Sequence, residues 1–117
     1  MSPLAKAVYG ILRLRIRLPE PRITYKELAA QLRELSDEFE FINHRSQALY
    51  AALGEIGGEC RRLKLPCLPA LVVRADTRRP GDAYFANAKE TTRWERIAAW
   101  KREVEDVRRA RYPARVG

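Results

Sequence analysis

The chain is poor in the residues from which most active sites are made. Histidine occurs once, at His44, and cysteine twice, at Cys60 and Cys67. A single histidine among scattered carboxylates has no ligand spacing, so no metal centre is expected. Two cysteines make no disulfide framework and lack metal-binding spacing; they read as reduced thiols of a cytosolic protein. No apolar run approaches the ~20 residues of a membrane span. Met1-Ser2-Pro3-Leu4 lacks the charged and apolar regions of a secretory leader, so a cytoplasmic location without a membrane partner is expected. No serine sits in a nucleophile elbow. Gly57-Gly58 falls inside a helical pattern rather than after a strand, which excludes a phosphate loop. Glu38 and Glu40 alternate and are expected to solvate a loop. No catalytic constellation emerges and no motif asks for a cofactor, so the chain is expected not to be an enzyme.

Basic charge is abundant. Lys and Arg number 23 against 15 Asp and Glu, a net charge of +8 and a pI near 10.0. That balance favours a polyanionic partner. A length of 117 residues with 46% hydrophobic content fits one domain, 1–117, with a real core. The charge is uneven. Glu27, Glu34, Asp37, Glu38 and Glu40 form an acidic island, answered within it only by Arg33, in an otherwise basic chain.

Pro3 to Arg15 is expected to be helical, with Leu4, Val8 and Ile11 on one face and Pro19 and Pro21 beyond its end. Strict alternation over Leu12–Leu18 argues instead for a strand, and on a helix Arg15 would fall inside the apolar stripe. Thr24-x-x-Glu27 is a capping box that opens a second helix to about Leu35. Asn43 is the expected N-cap of a third helix, with Leu49, Leu53, Ile56, Cys60 and Leu63 in one stripe. Its internal Gly54, Gly57 and Gly58 suggest close approach of another helix. Leu71-Val72-Val73 and Ala83-Tyr84-Phe85 read as a hairpin around the basic turn Asp76–Gly81. Thr92-x-x-Glu95 opens a last helix whose stripe is Ile97, Trp100, Val104 and Val107.

Helix, helix, strand, basic turn and strand is the plan of a winged helix-turn-helix. The expected class is α+β: a mostly helical winged helix-turn-helix with a two-stranded hairpin wing and a long C-terminal helix. Residues 1–22 form the N-terminal helix and linker, 23–90 the helix-turn-helix and wing, and 91–113 the final helix.

Ile23-Thr24-Tyr25-Lys26-Glu27-Leu28-Ala29, Arg45-Ser46-Gln47-Ala48, Pro66-Cys67, Val72-Val73 and Gly81-x-x-Tyr84 carry a resemblance. Over roughly 23–85 the chain resembles the DNA-binding domain of O6-alkylguanine alkyltransferases and alkyltransferase-like proteins. The resemblance implies that Arg45 enters the duplex where a base is flipped out, and that Gln47 and Ala48 face DNA. The family's acceptor lies in Pro-Cys-His-Arg-Val, whereas Pro66-Cys67 is followed here by Leu68-Pro69. Without a neighbouring base Cys67 is a poor nucleophile. The run Leu65–Val73 with Pro80-Gly81-x-x-Tyr84-Phe85 also resembles small bacterial and phage proteins.

The expected nucleic-acid contacts are Arg45, Ser46 and Gln47 on the recognition helix, Arg61 and Arg62 farther along it, and Arg78 and Arg79 at the turn. Phe39 and Phe41, interleaved with carboxylates, and Trp100 on the last helix are expected protein-interaction residues. The last helix buries its stripe against the first helix or in a homodimer; otherwise the chain is monomeric. The function expected is non-enzymatic binding of double-stranded DNA. The alternative is a phage or bacterial protein-interaction module, such as a defence or anti-defence factor, that inhibits or assists a nucleoprotein complex. In either case the 37–41 loop is a candidate protein contact.

Overall fold

The computed structural model describes residues 1–86 and 88–116. Its elements are α1 (Pro3–Arg15), β1 (Ile23–Thr24), α2 (Tyr25–Leu35), α3 (Gln47–Arg62), β2 (Val72–Val73), α4 (Asp82–Phe85) and α5 (Arg93–Arg109), with 3-10 turns at Asp37–Phe39 and Leu68–Leu71. This is a mostly helical α+β chain.

Local chemistry sets most helix starts. The Ser2 hydroxyl accepts from the Ala5 N–H, and Pro3 occupies the first turn, where a missing donor costs nothing. Both halves of the Thr24–Glu27 capping box form, at 3.0 and 3.1 Å. Thr92 accepts from the Glu95 N–H at 3.1 Å. The α3 start differs from expectation. Asn43 folds into a tight turn instead, its Oδ1 accepting from the Arg45 N–H while its own N–H donates to the Ser46 hydroxyl. Ser46 is therefore the N-cap. At its other end α3 closes with the Leu65 N–H on the Cys60 carbonyl and the Lys64 N–H on Arg61. That paired closure puts Lys64 at φ 57°, a position where glycine is usual.

The expected hairpin is not formed. β2 pairs in parallel with β1, Ile23 opposite Val72 and Thr24 opposite Val73, so the strand's partner lies almost fifty residues upstream. Ala83-Tyr84-Phe85 is a helical turn instead. Gly81-Asp82 starts that turn, and a buried hydroxyl holds it: the Gly81 N–H donates to Tyr25 Oη at 3.2 Å, and a Cβ on Gly81 would lie 3.3 Å from that oxygen. What remains of a wing is the loop 74–79, closed by the Arg74 N–H on the Arg79 carbonyl and the Arg78 N–H on Arg74.

The 68–71 turn is the hub. Leu68, Ala70 and Leu71 are fully buried, and α1, α3 and α5 all pack on them. Trp100 is 2% exposed and its indole N–H donates to the Ala70 carbonyl at 2.8 Å. Two expected interaction residues are thereby corrected. Trp100 is core, because the hub offers both an apolar wall and an acceptor for its N–H. Phe39 is also buried, since the 3-10 turn folds it inward onto α2. Ile97, Val104 and Val107 are buried with Trp100, so the α5 stripe packs within the chain, on the 68–71 turn.

Arg15 resolves the ambiguity of α1. The helix runs through it, and its guanidinium leaves the apolar stripe to donate to the carbonyls of Glu20, Pro21 and Arg22. Among the described residues no atom of a second helix lies within 4 Å of a Cβ placed on Gly54, Gly57 or Gly58. A Cβ at Gly54 would meet nothing within 4 Å, and one at Gly57 would meet only Arg61 and Cys67, at 3.9 Å. Among the described residues no helix is long and apolar enough to cross a membrane.

Candidate nucleic-acid interface

The first turn of α2, the first turn of α3 and the 74–83 segment meet at one side of the molecule. Tyr25, at the α2 start, lies beside Tyr50 of α3 with ring centroids 5.4 Å apart. The Tyr50 hydroxyl donates to the His44 carbonyl at 3.2 Å. These contacts fix the approach to α3. They border a cleft of about 580 Å³ whose wall includes Lys26, His44, Arg45, Arg74, Asp76 and Asp82. Arg45 is exposed, and its guanidinium makes no hydrogen bond or ion pair among the described residues.

A second cleft of about 590 Å³ adjoins the first through Arg74 and Asp82. It lies between the 74–80 loop and the first turn of α5, and Arg74, Arg79, Arg93 and Arg96 surround it. A third, of about 550 Å³, is floored by Gly54 and Gly57 and walled by Tyr84, Phe85, Arg61, Cys67 and Glu103. The α3 glycines therefore open space for a cleft rather than for a helix.

The expected contact residues divide accordingly. Arg45 and Arg79 lie in adjoining clefts. Ser46 is the half-buried N-cap, and Gln47 is exposed at the first position of α3. Arg61 lines the third cleft, while Arg62 is held by the Glu59 carboxylate. Arg78 projects from the loop at φ 58° and faces Glu20 at 3.6 Å. Phe41 is 62% exposed beside the acidic residues 37–40, with Leu35 61% exposed nearby in sequence.

Lys26, Arg74, Arg93, Arg96 and the Tyr25–Tyr50 pair were not foreseen. A signal for two of them is visible in sequence. Arg93 and Arg96 stand in the first turn of α5, where the helix dipole disfavours cations.

The electrostatics separate binding groups from chemical ones. The Arg74 guanidinium donates twice to Asp76 and holds that carboxyl below its usual range. Burial pushes the Cys67 thiol up to about 12, reinforced by the Cys60 thiol and the Glu103 carboxylate. Glu103 is placed there by accepting the Cys67 N–H at 2.8 Å. At neutral pH Cys67 is a thiol, not a thiolate. Among the described residues no group of three His, Cys, Asp or Glu side chains is placed to hold a metal ion.

Comparison with family models, curated proteins and solved structures gives no match in any of the three.

Proposed function

We propose that this chain is a non-enzymatic protein that binds double-stranded DNA, with the first turn of α3 and the loop 74–79 as its contact surface. One observation carries the reading. Lys26, Arg45, Arg74 and Arg79 come from three separated parts of the chain and gather along adjoining clefts beside an aromatic pair. Phosphate contacts supply most of the affinity of such a surface, and an exposed arginine at a helix start can reach a base edge or enter the stack. In this reading α2 supports α3 as in a winged helix-turn-helix, a closed basic loop replaces the hairpin, and Arg45 has the place that the alkyltransferase-like resemblance gives it. Cys67 takes no alkyl group, because its proton is held too tightly.

The test is a gel-shift series with duplex and single-stranded DNA over a range of salt. Wild-type affinity for duplex falls with salt at a log-log slope of roughly −0.9 per phosphate neutralised. A variant with Arg45, Arg78 and Arg79 all changed to Ala loses affinity and slope together. Unchanged affinity and slope in that variant would sink the assignment.

A second reading is favoured by Phe41. Its exposed ring beside Asp37, Glu38 and Glu40 suits docking of a basic protein, the module that would assist or inhibit a nucleoprotein complex. Phe41→Ala then abolishes the protein contact and leaves duplex affinity alone.

A further inference from the structure

We propose that the cleft between the 74–80 loop and the first turn of α5 is a second backbone-binding site, one that takes a DNA phosphodiester beyond the contact at Arg45. The inference rests on the DNA-binding reading above and extends its footprint.

Four guanidinium groups, those of Arg74, Arg79, Arg93 and Arg96, face one cleft whose other charged group is Asp82. Arg74 is already occupied by Asp76, and Arg96 donates through Nε to the Glu90 carbonyl. Arg79 and Arg93 have no hydrogen bond or ion pair from their side chains among the described residues. Among the described residues no carboxylate lies within ion-pair distance of these two, although Asp82 lines the same cleft. A further cost is built in. Arg93 and Arg96 stand at the helix end where cations are disfavoured. An anion in the cleft offsets that cost. Guanidinium forks suit a phosphate, whose oxygens accept paired N–H donors, and they stay charged at any working pH.

The shape points to a polymer rather than a free small anion. Arg74 and Asp82 wall this cleft and also the one that holds Arg45, so the two clefts are continuous. A strand that meets α3 at Arg45 is led past Arg74 to Arg79 and Arg93. Phe85, half-buried in the cleft wall, supplies an apolar surface against which a sugar can rest.

The test pairs the wild type with Arg79→Gln/Arg93→Gln, a variant that keeps the Arg96 bond to Glu90. Duplex affinity is measured over a salt series, and circular dichroism establishes that the fold is retained. Backbone amide shifts at 77–79 and 93–96 are followed with inorganic pyrophosphate as a minimal probe. The expected result is a roughly tenfold loss of duplex affinity at low salt, with a slope about 1.8 units shallower. Pyrophosphate shifts those amides in the wild type and not in the variant. A folded variant that matches a DNA-binding wild type in affinity and slope overturns the cleft alone and leaves the contact at Arg45 standing. A wild type that ignores duplex overturns the DNA reading itself and the cleft's assignment with it. Should the variant lose its fold, Arg93→Gln alone is read by the same measure, with a slope change of about 0.9 expected and no change overturning the site.

Discussion

Arg15 and Arg45 are the same residue put to opposite uses. Arg15 is half-buried and spends its guanidinium on the carbonyls of Glu20, Pro21 and Arg22, which ties the linker after α1 to the helix. Arg45 is exposed on the opposite kind of surface, beside a cleft, with its guanidinium unengaged among the described residues. The division runs through the molecule. Arg13 donates to the Tyr112 carbonyl, Arg33 to Ile42 and Arg108 to Leu18 and Pro19, so these cations staple backbone. Arg79 and Arg93 staple nothing. A net charge of +8 therefore overstates the charge free to meet a partner, and Arg45, Arg79 and Arg93 in the clefts are part of what is left.

The two tryptophans break or sharpen this contrast most strongly. Trp100 lies in the hub and Trp94 is 77% exposed in the first turn of the same helix. Trp100→Ala is expected to cost about 3–5 kcal/mol, from lost burial and from the unpaired Ala70 carbonyl. Trp94→Ala should stay within about 0.5 kcal/mol, as exposed substitutions do. Urea unfolding of the two variants decides the matter, and equal losses would mean that the hub does not anchor α5.

Next come the two arginines. Arg15→Ala should destabilise by about 1–2 kcal/mol, because three carbonyls lose a charged donor at a half-exposed site. Its duplex affinity, measured where it is fully folded, should change little. Arg45→Ala should leave the unfolding midpoint alone and lower the salt slope by about one unit. If the two effects were reversed, the division between stapling and binding cations would be wrong.

Burial of acidic hydroxyls and thiols on the hub side predicts how stability responds to alkali. Cys67 is raised from 9.0 to about 12, and burial raises Tyr84 and Tyr112 in the same direction. A group whose folded pKa is raised gives stability that is whole below its unfolded value and is lost as pH climbs toward the folded one. The melting temperature should thus hold between pH 7 and 9 and fall from 9 toward 12. Cys67→Ala should soften that fall. The same protected thiol predicts no mass adduct on Cys67 after incubation with an alkylguanine oligonucleotide at neutral pH.

How much of this was legible in sequence depends on how local each signal was. The α1 and α2 starts and the α5 stripe were readable because Pro3, Thr24-x-x-Glu27 and the spacing of Ile97, Trp100, Val104 and Val107 act within a turn or two. Tyr84-Phe85 misled because aromatic residues favour strands, whereas the Tyr25 hydroxyl, far away in sequence, holds Gly81 at the start of a helical turn. The partner of Val72-Val73 is likewise distant, which local pattern cannot reveal. Arg45 was found through the resemblance, and Arg79 as charge in a basic turn. Their neighbours Arg74, Arg93 and Arg96 join them only through the folding of loops, and the one advance sign was a pair of cations at an unfavourable helix end.

The smallest effect in the comparison belongs to Arg62. It is exposed, as Arg45 is, but its guanidinium is held by the Glu59 carboxylate one turn earlier on α3. The pair raises the Arg62 pKa and lowers that of Glu59, so both stay charged and cancel each other toward a distant phosphate. It also lies at the far end of α3 from Arg45. Arg62→Ala should therefore change the duplex salt slope by well under the unit expected for Arg45→Ala. Glu59→Gln should do more than the arginine substitution, since it frees a cation and strengthens non-specific binding at low salt. Gel-shift titrations of these two variants beside Arg45→Ala provide the check. A full unit lost with Arg62→Ala would extend the contact surface along the whole of α3 and erase the distinction between its two ends.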